Sequence, residues 1–332
     1  MAKQKRPDEG GKPWCIQPEL VEGCSMRYGF GHGGLCHFCG LQAIRSGPGN
    51  YKYMTVPTAM MIARDCADFC PKARIEFAMR GEPLMNPNHL KIFDVFRQHL
   101  PKTQMMVTTN GDTLRGKMEE RAENIFAAGI NFILLDTYYP EERRRTLIDE
   151  AYSLDKTIKI VDYFQEWMPL GESPYHNHGN KIQRTIVLMD DLAARDKEHS
   201  SRLVKTHAGA NPSKPIDESF PLKRNCGRPF REMTITWNGN VTLCCDDWKK
   251  EYIIANIDLF HLEDIWAMPS FEAARRILLA KDRSFGPCQS CDAPSAPRTG
   301  LLPDYEPPTE DDYKIVEKVF EPKKPIWEME SH

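Results

Sequence analysis

The chain has 332 residues, 41% of them hydrophobic and 27% charged, with a formal net charge of −3. This is the composition of an ordinary globular protein of one or two domains. It excludes a membrane helix, since no apolar run approaches ~20 residues. It also offers no overall attraction to nucleic acid or to an anionic membrane. The basic start has no apolar stretch behind it and is not a signal peptide, so the expected location is the cytoplasm. Eleven cysteines in that compartment point to metal or redox duty rather than to a disulfide framework.

After an N-terminal extension (residues 1–14), short apolar runs alternate with helical patterns. Strands are predicted near 17–22, 75–79, 104–109, 131–136, 157–162 and 184–189. Helices are predicted over 57–70, 88–99 and 141–154. A fourth is marked by Leu114, Met118, Ala122 and Ile125 at three-to-four-residue spacing, with Gly129 as its stop. Strands alternating with helices imply a parallel sheet with right-handed crossovers. Six such units over 15–204 predict an α/β fold, a partial (β/α)6 TIM-like barrel. Its sites are expected at the C-terminal ends of the strands. Cys66 and Cys70 share a helical face and read as buried thiols.

Residues 205–224 are rich in Gly, Pro and polar side chains and read as a linker. A small unit over 225–292 follows. It has a β-hairpin whose Asn238-Gly239 pair suits a type I′ turn, then a helical stretch interrupted near Pro269. The acidic, proline-rich tail (293–332) reads as a surface extension with one short helix around Tyr313–Phe320.

Two cysteine sets carry the chemistry. Cys24, Cys36 and Cys39 lie on one glycine-rich loop after the first strand, spaced C-x11-C-x2-C. Three thiolates on one loop can hold three corners of a four-iron cluster and leave the fourth iron open. Removing Tyr28–Leu35 leaves C-x3-C-x2-C, which resembles the cluster motif of the radical S-adenosylmethionine (radical SAM) enzymes. The eight-residue insert is a departure from that motif. Arg80-Gly81-Glu82-Pro83 resembles the family's Gly-Gly-Glu-Pro segment, with Arg80 replacing the first glycine. Thr109-Asn110-Gly111 resembles its Thr-Asn-Gly turn. The resemblance implies that Gly81, Glu82, Asn110 and Asp136 contact SAM, with the amino group near Glu82 and the ribose near Asp136. No match is found for the family's adenine-contacting motif. Cys226, Cys244, Cys288 and Cys291 resemble the twitch extension, a shortened SPASM domain holding one auxiliary 4Fe–4S cluster. Cys245, next to Cys244, reads as a small buried apolar residue.

What the resemblance implies is a radical SAM oxidoreductase or maturase. Its SAM-binding 4Fe–4S cluster would cleave SAM reductively to a 5′-deoxyadenosyl radical, which takes hydrogen from a small polar molecule or a peptide side chain. An electron donor of flavodoxin or ferredoxin type is implied as partner. The short N-terminal extension argues against a peptide substrate, and the twitch pattern resembles that of dehydrogenases of aminocyclitol biosynthesis. Two alternatives stand beside this reading. The same chemistry on a nucleoside or RNA is disfavoured by near-neutral charge. A non-catalytic scaffold with structural zinc in both cysteine sets is the other.

Overall fold

The computed structural model describes residues 11–27, 36, 39–42, 50–137, 141–167, 184–189, 205–293 and 306–320, without the side chains of 141, 143, 164, 167 and 320. The Tyr28–Leu35 insert, His37 and Phe38 lie outside the described residues, as do most of the N-terminal extension and much of the tail.

The strands are β1 (Cys15–Pro18), β2 (Val21–Glu22), β3 (Lys52–Tyr53), β4 (Arg74–Phe77), β5 (Met105–Thr109) and β6 (Phe132–Asp136). They continue with β7 (Lys159–Asp162), β8 (Thr185–Met189), β9 (Glu232–Ile235), β10 (Asn240–Thr242) and β11 (Ile253–Asn256). The helices are α1 (Val56–Phe69), α2 (His89–His99), α3 (Met118–Ala127), α4 (Glu141–Tyr152), α5 (Leu262–Trp266), α6 (Pro269–Leu279) and α7 (Glu310–Phe320). Helix α1 illustrates why these segments coil. The Thr55 hydroxyl accepts from the Thr58 N–H at 3.2 Å, and Pro57 occupies the first turn, where no N–H is needed. Ala59, Ile62, Ala63, Cys66 and Phe69 then repeat along one buried face. Cys66 and Cys70 are both buried thiols.

Among the described residues, nine strands form one sheet in the order β11-β10-β9-β1-β4-β5-β6-β8-β7. From β9 to β7 every pairing is parallel. The sixth barrel strand thus lies between the fourth and the fifth, rather than in chain order. Burial explains the exchange. β8 (TIVLM) is buried along four of its five residues and suits an interior position, whereas β7 begins on exposed Lys159 and ends on half-buried Asp162.

The C-terminal hairpin does not stand apart. β9 runs parallel to β1, with Cys15 beside Glu232 and Pro18 beside Ile235, so the second unit continues the barrel sheet. Its turn is not type I′. Among the described residues Gly239 takes left-handed backbone and Asn238 does not. The Gly239 N–H donates to Thr236 O at 2.9 Å, and the Thr236 N–H to Asn240 O at 2.8 Å. This is a three-residue turn completed by one glycine. Residues 205–224, expected as a linker, are tied to the second unit. The Thr206 hydroxyl donates to Ser290 O at 2.6 Å, its N–H donates to Asp292 at 2.8 Å, and Ala208, Ala210 and Asn211 are buried. Helix α7 packs on α6 through buried Val316 and an Arg276–Asp312 ion pair of 2.6 Å. No helix among the described residues is long and apolar enough to cross a membrane.

Candidate functional site

The parallel strands deliver their C-terminal ends to one edge, and the first cysteine loop is clamped there by backbone. Gly23 and Gly81 form an isolated bridge, and the Glu82 N–H donates to Gly23 O at 2.9 Å. Gly81 has φ +156°, and a Cβ there would collide with the carbonyl oxygens of Val21 and Gly23. Only glycine allows β4 to approach the cysteine loop this closely.

Cys24, Cys36 and Cys39 are all half-buried. The Cys39 N–H donates to Cys36 O at 2.9 Å, curling the C-x2-C pair. Burial, and next the Glu82 carboxylate, push the Cys24 thiol up to about 12, with Cys39 adding to the rise. Burial pushes the Cys36 thiol well above its ordinary value, followed by Cys39, Cys24 and Asp136. The three thiols and Asp136 therefore share one electrostatic space.

Glu82, 2% exposed, is the hub of the edge. It accepts from the Thr109 hydroxyl at 2.7 Å, the Asn110 N–H at 2.8 Å and the Leu84 N–H at 3.1 Å. These donors favour the carboxylate, yet burial outweighs them and pushes Glu82 up to about 7. The Asn110 side chain donates to Cys24 Sγ at 3.4 Å and lies 3.2 Å from Ser25 Oγ. Gly81, Glu82, Asn110 and Asp136 thus surround the three-cysteine loop.

Arg80, the departure from the glycine motif, is wholly buried. It donates to Glu19 at 3.0 Å and to the Asp247 carbonyl at 2.5 Å. Glu19 also accepts from Lys250 at 3.0 Å, and Lys250 pairs with Glu22. A glycine there would remove one of the struts between the first site and the loop just past Cys244. A second contact joins the same parts. A Cβ on Gly40, next to Cys39, would come within 2.7 Å of the Trp248 ring, which stacks on His207 at 4.5 Å.

Cys226, Cys244, Cys288 and Cys291 are all buried. Burial raises Cys244 well above its ordinary value, followed by Asp246, Cys245, Cys291 and Cys288. Burial also raises Cys288, followed by Cys291 and Cys226. Cys291, pushed up to about 12 chiefly by burial and Asp246, responds to Cys226 as well. Four thiols converge here. Arg283 ties their loops, donating to the carbonyls of Arg224, Asn225, Cys291 and Ala293 at 2.8–3.0 Å.

Two family models match: the radical SAM superfamily over residues 19–169 and the iron–sulfur cluster-binding SPASM domain over 226–292. The chain carries a radical SAM domain followed by a SPASM domain. It is 23% identical over 220 residues to the S-adenosyl-L-methionine-dependent 2-deoxy-scyllo-inosamine dehydrogenase of Niallia circulans, covering 66% of this chain and 72% of that one. Its fold is similar to the crystal structure of BtrN in complex with AdoMet and 2-DOIA, with a TM-score of 0.59 at 20% identity over 84% of this chain and 93% of the other. It is also similar to BtrN in an open conformation, with a TM-score of 0.52 at 17% identity over 91% and 97%. Both matched families imply 4Fe–4S clusters with SAM at the first, and the structural-zinc alternative is set aside. Radical SAM enzymes use a reductant and act on small-molecule or peptide substrates.

The donor sets fit those groups. Each is made of soft thiols close enough to feel one another's charge, the donor chemistry that iron–sulfur clusters take, and a bound cluster would hold them as thiolates. Nothing local in the sequence signals that Arg80 and Arg283 brace the two sites. Cys245 also differs from its apolar reading. It is half-buried, accepts from Arg228 at 2.7 Å and faces Glu232. The signal was local: Cys245 is followed by Asp246-Asp247-Trp248, polar and aromatic side chains at the very end of a hairpin.

Proposed function

We propose that the enzyme is a radical SAM dehydrogenase that oxidises a carbinol of a small, amine-bearing polyol in the cytoplasm. The observation that carries this reading is that the two cysteine regions are joined: β9 of the second unit pairs with β1 of the first, and Arg80 and Lys250 link the neighbouring loops. Its support is the similarity to the inosamine dehydrogenase across most of both chains, and the likeness in fold to BtrN.

In this reading Cys24, Cys36 and Cys39 hold the SAM-binding cluster, and Cys226, Cys244, Cys288 and Cys291 hold the auxiliary one. When bound, the clusters and SAM supply one-electron chemistry that begins with reductive cleavage of SAM. The chain's own residues prepare the space. Gly81 lets the second strand end lie against the cysteine loop, so that its backbone and Glu82 offer acceptors to an ammonium group. Asn110 fixes Cys24 by its side chain and Glu82 by its backbone. Asp136 offers a carboxylate to ribose hydroxyls. Arg80 and Lys250 hold the two cysteine regions at a constant separation. The reductant is a protein of flavodoxin or ferredoxin type.

Oxidation of a carbinol removes a hydrogen atom, a proton and an electron from the substrate. The test is anaerobic turnover of the reconstituted enzyme with SAM, dithionite and 2-deoxy-scyllo-inosamine. The expected result is a ketone formed one for one with 5′-deoxyadenosine. Cleavage of SAM without any oxidised aminocyclitol would overturn the proposal.

A further inference from the structure

The two faces of the sheet differ in kind. The face toward the helices is apolar, with Ile16, Ile75, Val107, Ile133 and Ile186 in the main core. The opposite face divides along the strand order. Over β5, β6, β7 and β8 it carries an apolar cluster that includes Met106, Phe132, Leu134 and Val187. Over β1, β4 and β9 it carries Gln17, Arg74, Glu76 and Thr234, all buried. The register sets Ile16 beside Ile75, so Gln17 and Glu76 are neighbours, with Thr234 beside Gln17 and Met106 beside Glu76.

Gln17 Nε2 donates to one Glu76 oxygen at 2.7 Å, and Arg74 holds the other. A carboxylate only accepts, so this contact decides which end of the amide faces Glu76. Gln17 Oε1 is then turned away, without a hydrogen-bond partner, on a side chain only 8% exposed. A buried carbonyl oxygen without a protein donor is costly, and a hydrogen-bonding group brought to it removes that cost. One step further toward the C-terminal edge, the same face presents Ala78 and Thr108, both half-buried and both small. Beyond them lie Asn110 and Asp136. The buried pair therefore lies one step below half-buried Ala78 and Thr108, on the face of the sheet away from the helices.

We infer that Gln17 and Glu76 form the polar floor of the substrate site and accept hydrogen bonds from hydroxyl or amino groups of a small amino-polyol. This rests on the dehydrogenase reading for its substrate class. The division of the face suits such a molecule. A saturated ring bearing hydroxyls offers donors at its rim and C–H surface on its faces. Gln17 and Glu76 meet the rim, and Tyr163 and Met189, the half-buried members of the apolar cluster, meet the C–H surface.

Equilibrium binding tests the floor without turnover. SAM-loaded, unreduced holoenzyme would be titrated calorimetrically with 2-deoxy-scyllo-inosamine, and in parallel with scyllo-inositol and streptamine. The Gln17→Leu variant keeps the size of the side chain and removes both amide groups. It is expected to lose at least tenfold in affinity for the inosamine, about 1.4 kcal/mol, while binding SAM within twofold of the parent. Inosamine binding within twofold of the parent, or an equal loss of SAM affinity, would overturn the inference. If the parent ignores the inosamine but binds streptamine or scyllo-inositol with the same dependence on Gln17, the floor stands and the inosamine as substrate falls. If the parent binds none of the three, the floor falls too. Glu76→Gln supplies the second variant. It removes the negative acceptor, and its loss should be greater for the amines than for scyllo-inositol.

Discussion

The two cysteine regions are built on opposite plans. The first has three half-buried thiols on a loop, ringed by acceptors: Glu82, Asp136 and the backbone around Gly81. The second has four buried thiols and is closed by Arg283, which spends its donors on the carbonyls around it. An open site must hold its ligands while leaving room for a small molecule, so its rigidity comes from neighbouring strand ends. A closed site holds itself. Substitutions should therefore harm the first region through chemistry and the second through folding.

The largest effect should come from Cys24→Ala, which on this plan abolishes SAM cleavage, a loss of more than about 10³-fold. It should leave the iron of the second site and a near-parental melting temperature. Cys288→Ala should do the reverse to stability, lowering the melting temperature while the first site still binds iron. Iron per chain with paired melting curves checks both, and equal melting losses would break the contrast. Next comes the strut between the regions. Arg80→Met leaves buried Glu19 with only Lys250 and the Trp237 N–H and should cost about 3 kcal/mol, measured by denaturant unfolding. Gly81→Ala forces a side chain into left-handed backbone against two carbonyl oxygens and should cost about 2–3 kcal/mol. It should also weaken SAM binding, seen by equilibrium dialysis.

The most gradual effect is a dependence on pH. Burial raises Glu82 to about 7 in the folded chain, above its ordinary value of 4.5. The folded state then holds a proton that the unfolded state releases. The contribution of Glu82 to stability is full below about pH 4.5 and is lost as pH rises through about 7, with a slope no steeper than about 1.4 kcal/mol per pH unit. Melting of the cluster-free chain from pH 5 to 8 should show a decline that Glu82→Gln flattens. Parallel curves for the two proteins would remove Glu82 from the account.

Much of this was legible in the residues because it is local. Alternating apolar runs marked every barrel strand within a few residues, and Thr55-x-Pro57 with a repeating apolar face marked α1. Cysteine spacing and the strand-end motifs pointed to the first site. What stayed hidden depends on distance along the chain. Nothing near 185–189 states that this strand lies between β6 and β7, since that choice is made by relative burial across the whole sheet. Arg80 looked like a lost glycine because its partners, Glu19 and Asp247, lie far away in sequence. The composition of 205–224 suggested freedom, but Thr206 bonds to Ser290 and Asp292, more than eighty residues away, and Asn211 is buried with its amide on the Lys205 carbonyl. Gln17 and Glu76 were silent for a related reason: a short strand with one polar residue looks like an edge until its neighbours are known.

The pairing of β9 with β1 governs how the molecule is made. Residues 15–18 emerge from the ribosome first, yet one flank of that strand waits for residues 232–235, more than two hundred positions later. Until then the nascent barrel presents a bare, mostly apolar strand edge, which invites pairing with other chains. A fragment ending at residue 204 keeps that edge permanently and should aggregate when expressed alone. The second cysteine unit is thus no appendage to be grafted onto another barrel, because it supplies the strand that completes this one.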